Sequence, residues 1–161
     1  MVSAPTMPAA FDVDVRLAIQ HAFLDGRSTP TVESVAAELD ADPALVADAF
    51  DRLAAARMIV LAPGSHEIRM SAPFAGRPTP FMASVGGRTY YANCMWDALG
   101  VSAMLAGAGR PADALVRTTC ADCGAPLTIE VRDGRASADA EGVVAHFAVP
   151  AARWWSDIGF T

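Results

Sequence analysis

Three cysteines, Cys94, Cys120 and Cys123, stand in this chain of 161 residues, and one of them has an acid close by. In the segment Asn-Cys-Met-Trp-Asp-Ala-Leu, Cys94 and Asp97 are separated by three positions. On a helix that spacing places a thiol and a carboxyl on one face. A first-turn position would favour the thiolate through the helix dipole. A thiolate is a natural ligand for a soft cation, and a carboxylic acid beside it could protonate whatever group leaves that cation. Spacing alone also fits a buried, inert cysteine and an aspartate that merely complements the helix end.

Cys120 and Cys123 form Cys-Ala-Asp-Cys-Gly, which resembles half a zinc knuckle. A structural zinc site takes four ligands, and only Cys94 and His146 remain to join the pair. A thioredoxin-type dithiol would open a helix, whereas here the apolar run Ala125–Val131 follows and reads as a strand. A tight turn with free or buried thiols is the plainer reading. His21 and His66 read as packed or solvated side chains, and His146 alternates with apolar neighbours in a run read as a strand. Trp96, Trp154 and Trp155 read as core and lid aromatics. No glycine-rich phosphate loop and no Ser-His-Asp order is present.

The elements that must position Cys94 and Asp97 are legible from periodicity and caps. Residues 11–25 place Val15, Ile19, Ala22 and Phe23 on one helical face, with Gly26 as a stop. Thr31 precedes a short helix over 32–39. Asp42-Pro43 opens a third helix to about Arg57, with Leu45, Ala49, Leu53 and Ala56 facing inward. Residues 58–62 and 67–71 then read as a two-stranded wing. Downstream, 81–92 reads as two strands about a Gly86-Gly87 turn, 93–106 as a helix, and 114–120, 125–131 and 143–149 as strands. The expected architecture is α+β: a winged-helix-like helical module, then a small, mainly antiparallel sheet domain with one principal helix. The boundaries expected are a disordered tail at 1–10, the winged-helix-like domain at 11–72, a proline-rich linker at 73–81 and the second domain at 82–161.

Composition narrows the function classes. The formal net charge is −6, all twelve basic residues are arginine, and the third helix carries Asp48 and Asp51 against Arg52 and Arg57. Little is gained from phosphate neutralisation, so no nucleic-acid partner is expected despite the winged-helix pattern. No apolar run reaches the length of a membrane span, and the N-terminus lacks a basic and apolar leader, so the expectation is a cytoplasmic protein with no membrane partner. An odd number of cysteines in such a chain argues for thiols rather than disulfides.

The ordered set Tyr-Ala-Asn-Cys94-Met-Trp-Asp97-Ala-Leu, then a strand ending at Cys120 with Gly-Ala-Pro beyond it, then a hydrophobic strand ending in Val149-Pro150, resembles the organomercurial (alkylmercury) lyase family. The resemblance implies protonolysis of a carbon–mercury bond. Two cysteine thiolates would bind a small organomercurial, and an aspartate would protonate the departing carbon. Residue by residue, Cys94 matches the first mercury-binding cysteine, Asp97 the proton donor and Cys120 a third, structural cysteine. No cofactor is implied; mercury is substrate and product, and a mercuric reductase is the candidate acceptor of Hg(II). The family's second catalytic cysteine falls about where the sequence stops, which reads as a truncation and leaves Cys123 as a candidate second mercury ligand. Two other readings stay open: a winged-helix, thiol-based sensor or binding protein for soft metals, and a catalytically degenerate homologue.

Overall fold

In the computed structural model, residues 9–137, 142–144, 147 and 149–158 are described. Three helices come first: α1 (Ala10–Leu24), α2 (Val32–Leu39) and α3 (Pro43–Ala55). Local chemistry sets their ends. The Gly26 and Arg27 N–H groups bond back to the Phe23 and Ala22 carbonyls, and Gly26 takes φ +64°. This is the glycine-terminated helix end in which a left-handed residue lets two orphan carbonyls be satisfied. Thr31 and Ser34 form a reciprocal capping box at α2, and the Asp42 carboxylate accepts the Ala44 N–H at 2.8 Å at α3.

The helices bury Val15, Ile19 and Phe23 of α1 and Val35 and Ala36 of α2 against Val46, Ala49, Phe50 and Leu53 of α3. The inward face of α3 differs from the expected one: Leu45 is 55% exposed and Ala56 half-buried, while Val46 and Phe50 are fully buried. In an alanine-rich helix the face is set by the largest side chains that fit, and Phe50 turns the helix by about one position. A buried Asp12 on α1 accepts bidentate hydrogen bonds from the Arg52 guanidinium at 2.7–3.1 Å, which hold its carboxyl below the usual carboxylate range. Arg57, two residues beyond α3, stacks on the Trp155 ring at 5.6 Å, so it and Arg52 both have intramolecular partners.

A three-stranded antiparallel sheet follows, β1 (Val60–Leu61), β2 (Ile68–Ser71) and β3 (Phe74–Ala75), in that order. Its third strand lies inside the proline-rich stretch expected to be a linker. Proline density signals a turn, but it does not report that Phe74, between Pro73 and Ala75, is 1% exposed. Gly76 is required directly after it: a Cβ there would lie 1.8 Å from the Ile68 carbonyl oxygen, while the Gly76 N–H donates to the Arg69 carbonyl.

The second sheet has five antiparallel strands in the order β5-β4-β6-β7-β8: β4 (Met82–Val85), β5 (Arg88–Tyr91), β6 (Ala114–Thr119), β7 (Pro126–Arg132) and β8 (Arg135–Ala136). Gly86 and Gly87 both take positive φ, the requirement of the two-residue turn that matches strand twist. The principal helix, α4 (Met95–Gly107), packs Ala98, Val101 and Leu105 onto Ala83 of β4 and Val116 of β6. The fold is α+β with wholly antiparallel pairing. β8 has no counterpart in the sequence-based expectation. The expected strand over 143–149 is not found among its described members: Val143, Val144 and Phe147 lie outside any strand and are exposed, and His146 lies outside the described residues. A 3-10 helix (Ala151–Ser156) follows, with the Trp154 indole donating to the Val149 carbonyl. Among the described residues no helix is long and apolar enough to cross a membrane.

Phe74 joins the layers. Its ring stacks on Phe23 of α1 at 5.3 Å between centroids and lies 6.0 Å from Tyr90 of β5. Arg110 and Arg88 add polar ties to the end of α1, donating to Leu24 and Asp25. Phe74→Ala should lower stability by roughly 3–5 kcal/mol, the usual range for a fully buried phenylalanine, measured by urea denaturation. A loss below about 1 kcal/mol would show that the layers are held together by other contacts.

Candidate active site

The site is built where β5 passes into α4. The Ala92 N–H donates to the Phe81 carbonyl, the Thr79 hydroxyl donates to the Ala92 carbonyl at 2.6 Å, and Ala92 bridges to Phe74. Ala92 is fully buried, so the chain entering the site has no room to shift.

Asn93 comes next and was not singled out by the sequence analysis. Its side-chain N–H group donates to the Asp97 carboxylate at 2.9 Å and faces the Pro73 and Phe74 carbonyls at 3.5 and 3.3 Å. Three acceptors around one nitrogen fix the orientation of the amide. The available sequence signal was an amide four residues before an acid, a spacing at which such pairs meet on a helix. That β3 and the proline before it would supply two carbonyls had no signal at all.

Cys94 is the N-cap of α4, with extended backbone angles, not a residue of the first turn as expected. Its sulfur accepts the Asp97 N–H at 3.4 Å, while its carbonyl accepts the Ala98 N–H. Asp97 is thus the third residue of the helix, folded back beside the cap. Burial pushes the Cys94 thiol above its ordinary value, and the neighbouring Asp97 carboxylate adds to the shift; the N–H groups of Asp97 and Trp96 oppose it. The expected preference for thiolate is therefore outweighed by desolvation in the free protein. Burial also raises the Asp97 carboxyl above the usual range, against the Asn93 hydrogen bond that lowers it. Both groups are half-buried. Trp96, expected among core and lid aromatics, is 64% exposed on the same turn.

Cys120 and Cys123 sit together in the turn between β6 and β7, half-buried and exposed respectively. Hydrogen bonding from the Cys123 and Asp122 N–H groups and from the Cys123 thiol lowers the Cys120 thiol below its ordinary value. Among the described residues no three histidine, cysteine, aspartate or glutamate side chains converge as a metal-holding group, so Cys94, Asp97 and Cys123 do not form one.

Comparison with known proteins bears on this arrangement. A family model described as alkylmercury lyase matches residues 74–161, more than half of the chain and all of the site just described. Among solved structures, the chain is similar to the mercury-bound form of MerB2, with 25% sequence identity and a TM-score of 0.65. That alignment covers 81% of this chain and 60% of that one, so the present chain spans well under two thirds of the length of that relative. No curated protein matches. The family model's match over more than half of the chain, in the region that carries the thiol-capped helix and its antiparallel sheet, places this chain in the alkylmercury lyase family.

Proposed function

We propose that the chain cleaves carbon–mercury bonds by protonolysis, with Cys94 as mercury ligand and Asp97 as the group that moves the proton. The observation that carries this reading is the Cys94–Asp97 pair at the start of α4: the Cys94 sulfur accepts the Asp97 N–H, and burial raises both the thiol and the carboxyl.

Two groups that both resist ionisation favour a single shared charge. As an organomercury cation meets the Cys94 sulfur, the S–Hg bond replaces the S–H bond, and the released proton passes to the Asp97 carboxylate beside it. Asp97 is then a carboxylic acid next to the mercury-bound carbon. Transfer of its proton to that carbon breaks the C–Hg bond, the bonding electron pair going to the new C–H bond. Hydrocarbon leaves, Hg(II) stays on sulfur, and Asp97 returns to carboxylate. Asn93 holds the carboxyl through one oxygen and leaves the other to carry the proton. Sulfur donation makes the metal-bound carbon more basic, and a second sulfur donor strengthens this. An added thiol is one source of that donor. Removal of Hg(II) by exogenous thiol, and its onward transfer to a mercuric reductase, belong to the same reading.

Incubated with phenylmercury, the reduced chain should release benzene, in a single turnover without added thiol and repeatedly with it. In a background carrying Cys120→Ser and Cys123→Ser, Cys94→Ser should lose retained phenylmercury, whereas Asp97→Asn should keep binding and lose cleavage by at least about 100-fold, the lower range for general acid catalysis. Equal retention by Cys94→Ser, or undiminished benzene release by Asp97→Asn, would overturn the assignment.

The raised Asp97 carboxyl also makes a stability prediction. A folded-state value above the unfolded one, about 3.9 for aspartate, means a stabilising contribution that is complete below the unfolded value and is lost as pH rises through the folded one. Asparagine does not titrate. The unfolding free energy of Asp97→Asn minus that of wild type should therefore increase from about pH 3 to pH 7 in denaturant titrations. A difference that stays flat or shrinks over that range would show that Asp97 is not held in a desolvated setting.

A further inference from the structure

The mechanism leaves two of the three thiols unused, and they share one turn. The connection from β6 to β7 closes with the Cys120 N–H on the Ala125 carbonyl at 2.8 Å and the Gly124 N–H on the Cys120 carbonyl at 2.9 Å. Gly124, at φ +71°, provides the left-handed step that returns the chain into β7. This closed loop carries two free thiols three positions apart, Cys120 half-buried and Cys123 exposed. Its backbone hydrogen bonds hold both cysteines in one short turn.

We propose that Cys120 and Cys123 form a chelating dithiol site for a two-coordinate soft cation, Hg(II) being the representative, separate from the Cys94–Asp97 pair. The donor set decides the class. Zinc in a structural site takes four ligands, and among the described residues no third histidine, cysteine, aspartate or glutamate completes the pair. Thiolates select soft metals, and a cation content with two sulfurs is satisfied by this turn alone. Binding forms two S–Hg bonds, breaks two S–H bonds and releases two protons to solvent, with no change of oxidation state. Exposure of Cys123 provides the entry path.

The sheet places this site at the same end as Cys94. Tyr91, the last residue of β5, pairs with Met82 of β4, and Met82 pairs with Arg117 of β6. Beyond that row, β5 runs out toward Cys94 and β6 toward Cys120. Two strand spacings, about 10 Å, separate β5 from β6. The site does not depend on carbon–mercury cleavage and is tested without it, using inorganic Hg(II).

The full chain carrying Cys94→Ser, fully reduced, is loaded with Hg(II), passed through gel filtration in excess glutathione, and assayed for retained metal. One Hg(II) per chain should remain, because a chelate outcompetes separate monothiols by effective concentration. Adding Cys120→Ser or Cys123→Ser to that variant should each weaken retention by roughly 100-fold or more. In the unsubstituted chain, Hg(II) should protect Cys120 and Cys123 together from alkylation, read by peptide mass spectrometry, which needs no variant to fold. The proposal is overturned if Cys94→Ser retains no Hg(II), if either serine substitution leaves retention intact, if Zn(II) is held as firmly as Hg(II), or if retention occurs only in a metal-bridged dimer. Failure of benzene release with this result intact would remove the lyase reading alone.

Discussion

Burial of one aromatic ring, Phe74, is the constraint on which the rest of the architecture turns. The ring lies between Phe23 of the first helix and Tyr90 of the second sheet, and it belongs to the short strand β3. Its backbone carbonyl faces the Asn93 amide, and its strand bridges to Ala92. A single residue thus fixes the helical layer against the sheet and sets the height at which α4 begins. A large apolar ring removed from water contributes on the order of 2–3 kcal/mol, and aromatic pairing adds roughly 1 kcal/mol. The polar contacts that orient the site are individually smaller, and they are built beside this buried ring.

Charge follows the same logic of enclosure. The Asp12–Arg52 pair is an acid whose charge is secured by a bidentate partner. Asp97 has only an uncharged amide for company, and Cys94 has only weak N–H contacts at a helix end. Two acids of the same chain are thus shifted in opposite directions by their neighbours, Asp12 downward and Asp97 upward. The first arrangement suits a structural ion pair and the second a group that must carry and release a proton.

Much of this was legible in the sequence wherever a local rule dictates the outcome. Thr31, Asp42-Pro43, Gly26 and the Gly86-Gly87 pair mark chain ends and turns through backbone chemistry that needs no tertiary context. The pairing of Cys94 with Asp97 is likewise a matter of three residues and one helix turn. Legibility failed where long-range packing decides. Leu45 and Val46 are adjacent, equally apolar, and only the fit of Phe50 selects between their faces. Phe74 was hidden by the prolines around it, because proline reports a local backbone preference and not the partner strand that makes β3. The run 143–149 reads as an alternating strand, yet the structure exposes Val143, Val144 and Phe147 alike. Asn93 was invisible because two of its three acceptors come from residues about twenty positions away.

The cap of α4 has a cost that reaches beyond chemistry. Serine, threonine, aspartate and asparagine are the residues that best close a helix at this position, and a sulfur acceptor at 3.4 Å is a poorer substitute. Were that sulfur to engage a metal as proposed, its electron density would be drawn away from the Asp97 N–H, and the opening turn of the helix would be left more loosely tied. Occupancy of the proposed site would then be coupled to fraying of the helix that carries it, with amide hydrogen exchange at Trp96 and Asp97 as a local gauge.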